Sequence, residues 1–101
     1  MPRLTGHHLA MARLFRAAGE QGARQRLQKL VSSLQAAGCG VEHRKGSVVY
    51  LTPPPPLDQE KPGLSFHRPK NGEASKGLQR YIASYIESNW HVGYRFFADR
   101  L

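Results

Sequence analysis

Four consecutive prolines, Pro53–Pro56, divide this chain more firmly than any other feature. Proline has no backbone N–H and a fixed φ angle, so neither a central strand nor a helix interior can run through them. With Pro62 and Gly63 close behind, "PPPPLDQEKPG" over 53–63 reads as a long loop whose proline run favours an extended polyproline conformation. It serves first as a spacer, and second as a docking ligand for an aromatic groove. The regular elements on either side must therefore be short.

Upstream, "CGVEHR" and "SVVYLT" are β-prone segments joined at Lys45-Gly46, which predicts a hairpin turning on the glycine. Downstream, "LSFHR" alternates Leu64 and Phe66 with Ser65 and His67, the period of a third strand. In "ARQRLQKLVSSLQAAG", Leu27, Leu30, Val31 and Leu34 repeat at helical spacing and Gly38 stands where a C-terminal glycine cap belongs. "PKNG" turns the chain. Ser75 then caps "KGLQRYIASYIESN", with an apolar stripe of Leu78, Tyr81, Ile82, Tyr85 and Ile86. An N-terminal helix is expected over "GHHLAMARLFRAA", capped by Thr5, burying Leu9, Leu14 and Phe15, ending at Gly19 and followed by a "GEQG" break.

The expected fold class is α+β: a small three-stranded antiparallel sheet with helices on one face. A chain of 101 residues suits one domain. Its parts are a helical extension over 1–22, an α-β-β-β-α core over 23–88 and an aromatic tail over 89–101. That tail holds Trp90, Tyr94, Phe96 and Phe97 and is too apolar to stay unpacked. Two readings stand: it adds a strand to its own domain or covers that domain's sheet, or it forms a partner or homodimer interface.

Fifteen Lys and Arg against seven Asp and Glu give a formal charge of +8, which makes a polyanion the natural partner, RNA or DNA first and an acidic protein surface second. The single cysteine, Cys39, excludes an internal disulfide and suits a small apolar filler in a reducing compartment. No apolar run approaches a membrane span and no signal-peptide pattern opens the chain, so a cytoplasmic protein without a membrane partner is expected.

Adjacent His7 and His8 diverge on a helix and make poor co-ligands, and no zinc spacing, Walker loop or dinucleotide fingerprint is present. No metal or cofactor is expected. What remains is the basic surface. Arg44 and Lys45 at the hairpin, Arg68 and Lys70 after the third strand, and Lys76 and Arg80 on the last helix are the candidate phosphate contacts, provided folding gathers them on one side. His43, His67 and the Tyr50 hydroxyl are candidate base or ribose contacts.

"LQKLVSSLQAAGCGVEHRKGS" and "EASKGLQRYI" resemble the HicA-type toxin family, small RNA-cleaving proteins with a fold like double-stranded-RNA-binding domains; the likeness covers residues 24 to 88. It implies that fold and an RNA-binding cradle. The family carries a catalytic histidine directly after the Gly-Ser pair, whereas Val48 follows Ser47 here, and valine cannot transfer a proton. The resemblance therefore implies a retained cradle with lost chemistry, unless His67 or His43 enters the vacated position as a metal-independent acid or base. Three functions follow in order: a non-catalytic nucleic-acid-binding module, an inhibitor or accessory protein anchored by the aromatic tail on a partner's nucleic-acid channel, and a ribonuclease.

Overall fold

The computed structural model describes residues 4–20 and 23–101, so two residues of the expected "GEQG" break lie outside it. Its elements are α1 (Gly6–Phe15), β1 (Gln25–Arg26), α2 (Leu27–Ala36), β2 (Gly40–His43), β3 (Val48–Thr52), β4 (Leu64–His67), β5 (Glu73–Ala74), α3 (Lys76–Tyr85) and α4 (Tyr94–Ala98). Strands β2, β3 and β4 form an antiparallel meander. The fold class is α+β, as the sequence predicts.

Period-two alternation gives this sheet a dry face and a wet one. Val41, Val49, Leu51, Leu64 and Phe66 stand on one side by register, and all but the half-buried Val41 are buried. Glu42, Tyr50, Ser65 and His67 share the other side. The dry face meets Leu27, Leu30 and Leu34 of α2 and, from the α3 segment (α3 with the π-helical turn Ile86–Trp90 that continues it), Ile82 and Ile86 in one continuous core.

Capping explains where two helices stop or start. Past α2, the Gly38 N–H donates to the Gln35 carbonyl and the Cys39 N–H to the Leu34 carbonyl, the paired bonds of a Schellman motif. Gly38 sits at φ 104, and an added Cβ would stand 3.0 Å from the Pro54 Cβ, so both backbone and space require glycine. At the start of α3, Ser75 Oγ accepts from the Leu78 N–H, worth about 1 kcal/mol.

Helix α1 ends four residues before Gly19. Arg16 turns left-handed at φ 55, and the Arg16 and Ala17 N–H groups both donate to the Ala12 carbonyl. Thr5 holds the N-cap position without a side-chain bond. The buried face is Ala10, Met11 and Leu14, with Leu9 and Phe15 only half-covered, so the apolar stripe is rotated from the expected one. Helix α1 contributes to the common core as fully as the others do.

Strands β1 and β5 were not expected. The segment before Leu27 is extended rather than helical because Gln25 and Arg26 pair with Ala74 and Glu73, and the Leu27 N–H donates to the Gly72 carbonyl. Beneath this ribbon lies a polar core. Gln25 (8% exposed) donates from Nε2 to Gln79 Oε1 at 2.8 Å and to the Ala10 carbonyl at 3.1 Å. Gln79 (1% exposed) donates to the carbonyls of Ala23 and Ala74. The two carboxamides tie α1, the ribbon and α3 together, and no buried side-chain polar atom among the described residues lacks a partner.

The tail packs on its own domain. Trp90 and Phe97 are fully buried, Phe97 stacks on Phe15 with ring centroids 5.4 Å apart, and Arg100 lies over Phe96. Trp90 and Phe97 therefore leave the set of partner-facing side chains: the core of this monomer already takes their apolar surface. Tyr94 and Phe96 are half-buried against the same core. The tail forms α4 rather than a strand.

Three aromatic donors from the α3 segment close one margin of the sheet. The hydroxyls of Tyr81 and Tyr85 donate to the carbonyls of Ser65 and Gly63, and the Trp90 indole N–H donates to the Pro62 carbonyl at 2.7 Å. This is why Tyr81 stays 49% exposed although the stripe predicts burial. The proline run is likewise absorbed: Pro53 and Pro54 are buried beside Gly38, and a 3-10 turn follows at Leu57–Gln59. The run is a bend rather than an extended polyproline segment: Pro55 and Pro56 are exposed in a turn, and the buried Pro53 and Pro54 are not free to dock in an aromatic groove.

Candidate nucleic-acid interface

Cations gather where α1, the β1–β5 ribbon and α2 meet the surface. One cleft, between α1 and the start of α3, is lined by Arg13, Arg16, Lys76 and Arg80. A second, between α1 and the ribbon, is lined by Arg13, Arg24, Arg26, Lys29 and Glu73. A third runs along the outer side of α2 with Arg26 and Lys29, and a fourth, between α2 and the sheet, holds Arg26, His43 and Arg68. Arg13 is common to the first two, and Arg26 to the last three, so the clefts form one continuous belt.

Among the described residues eight cations line this belt, Glu73 is the one acid in the lining, and Glu20 borders it through Arg13. Arg13 pairs with Glu20 at 3.3 Å and Arg24 approaches Glu73 at 3.9 Å; both pairs are partly exposed, and such contacts are worth at most about 1 kcal/mol. Arg16, Arg26, Lys29, Arg68, Lys76 and Arg80 make no ion pair among the described residues. Glu42, Asp58, Glu60, Glu87 and Asp99 line none of the clefts. Positive charge thus outweighs negative along this tract, where Glu20 and Glu73 are the acids within reach among the described residues, an arrangement that attracts an extended polyanion.

The six cations expected to converge are divided by the fold. Arg68, Lys76 and Arg80 join the belt. Arg44 does not, because it extends the wet side of the sheet: its guanidinium lies 4.1 Å from the Tyr50 ring centroid and its Nε donates to Glu42. Lys45 and Lys70 are exposed in turns and line no cleft. In their place stand Arg13, Arg16, Arg24, Arg26 and Lys29, which read in sequence as ordinary solvated helix faces. Nothing in the sequence links Arg13 to Lys76, since their meeting depends on α1 packing across α3.

The two candidate histidines stand on opposite faces of the sheet. His43 pairs with Val49 on the dry side and enters the cleft beside α2. His67 pairs with Val48 on the wet side, with its Nδ1 3.2 Å from Ser47 Oγ. His67 therefore lies across from the residue that follows the Gly-Ser pair. On α1, His7 Nδ1 lies 2.7 Å from Ser33 Oγ; because that hydroxyl donates to the Lys29 carbonyl, the imidazole is the donor between them.

Cys39 is buried, and desolvation pushes its thiol up to about 12 against a small opposing influence from Arg100. A thiol in that state supplies no nucleophile near neutral pH. Among the described residues no three His, Cys, Asp or Glu side chains gather as a metal site, and no helix is long and apolar enough to cross a membrane. No protein-family model, curated protein or solved structure matches the chain.

Proposed function

We propose that this chain is a non-catalytic nucleic-acid-binding module that holds a phosphate backbone along its basic belt. The observation that carries the reading is the linkage of four clefts through Arg13 and Arg26 into one tract whose lining, among the described residues, holds eight cations against one acid, with Glu20 at its border. Phosphate contacts of this kind fix register and orientation without reading sequence. Their signature is affinity that falls linearly in log–log terms with salt. Titrating labelled RNA and DNA, single-stranded and duplex, at several salt concentrations tests it. Steep salt dependence is expected; absence of binding at low salt overturns the reading.

A ribonuclease is the second reading, favoured by His67 standing opposite Val48 with its ring nitrogen on Ser47. It ranks behind because metal-independent cleavage needs one group to take the 2′-hydroxyl proton and another to protonate the leaving oxygen. His67 is a single imidazole, and His43 lies on the far side of the sheet. RNA incubated with the protein and EDTA separates the readings: cleavage that disappears in His67→Ala establishes the enzyme.

A further inference from the structure

The cleft between α2 and the sheet differs in chemistry from the rest of the belt. His43 occupies a dry-face position, in line with Val49 and Phe66, yet its side chain is exposed while those two are buried. Helix α2 thus leaves this corner of the sheet uncovered. The opening is about 540 Å3, within the range of clefts that enclose small molecules. Val31 gives it an apolar wall above the buried Leu27 and Val49 at its floor, and Gln28 and Gln35 add carboxamides that make no hydrogen bond among the described residues. Arg26 and Arg68 also line it.

A backbone-binding tract needs only cations. An apolar wall, a flat imidazole and carboxamides that both donate and accept are what an unstacked base requires: a surface for its face and partners for its edge. In a duplex both base faces are already stacked, and the cleft stays unfilled. We infer that this cleft seats one unstacked nucleobase, with the adjoining phosphates on Arg26 and Arg68, so that the belt prefers single strands to duplex. The inference rests on the reading of the belt as a nucleic-acid surface and adds the form of nucleic acid it takes.

Fluorescence anisotropy with three probes of equal length tests it: a single strand, the same strand made abasic throughout, and a duplex, each as RNA and DNA. The base-bearing strand is expected to bind about tenfold more tightly than the abasic one, within the range for one stacked base. His43→Ala and Gln35→Ala, both at exposed positions, should each erase about fivefold of that advantage while leaving the abasic strand's affinity unchanged. Equal binding of base-bearing and abasic strands overturns the cleft assignment while leaving the belt standing, as does an equal loss on both probes in the two variants. Failure of every probe to bind at low salt removes both the belt and the cleft.

Discussion

Reversing Lys76 and Arg80 to glutamate probes the belt where the two cations share a helix face with Arg13 and Arg16 opposite. Six belt cations have no ion-pair partner among the described residues, and each phosphate they neutralise contributes about −0.7 to the log–log salt slope on a single strand and about −0.9 on duplex DNA. Full engagement gives slopes of about −4 and about −5 respectively. Removing two contacts should flatten these by about 1.4 and about 1.8, with weaker binding to all sequences alike. Both residues are exposed, and an acid at the first position of α3 suits the helix dipole, so stability should change by no more than about 0.5 kcal/mol. Anisotropy titrations between 50 and 200 mM salt, beside thermal melts of parent and variant, give the result. A parent slope shallower than about −1, or a variant slope equal to the parent's, would refute the reasoning.

Three further outcomes concern stability. Gln79→Ala should cost about 2–4 kcal/mol in urea unfolding, since it strands Gln25, the buried Ala74 carbonyl and the part-buried Ala23 carbonyl, and adding Gln25→Ala should cost less than a second independent loss. Phe97→Ala should cost about 3–5 kcal/mol and loosen α1 through the lost Phe15 stack, measurable as amide exchange. For Cys39 the folded state holds its thiol proton more tightly than the unfolded chain, so its contribution is complete below about pH 9 and declines as pH rises toward 12. Between pH 9 and 10.5 the parent should lose about 2 kcal/mol more than Cys39→Ala in paired denaturation curves.

What the sequence reveals depends on the range of the interaction. Gly38 and Ser75 mark helix ends because caps act within four residues, and the hairpin and third strand follow from alternation that each strand carries alone. Gln25 and Gln79 are invisible in this way: glutamine normally stays wet, and only packing of α1 over the ribbon and α3 makes each the partner of the other. The belt fails to show for the same reason. Arg13 and Arg16 look like the wet side of one helix, Lys76 and Arg80 like that of another, and their adjacency arises from tertiary contact between the two. The tail sits between these cases: its aromatic content predicts packing, but not that Trp90 goes inward at the end of a π-helical turn and Phe97 on a short helix.

Because tyrosine and tryptophan donors from the α3 segment occupy outward carbonyls of Gly63 and Ser65 and of neighbouring Pro62, the sheet is left asymmetric at its borders. An incoming peptide, or a second molecule extending the meander, finds its unclaimed rail on β2, a four-residue strand bearing Glu42 and His43. Strand addition therefore meets less obstruction at β2 than at β4, where the Ser65 carbonyl is already taken.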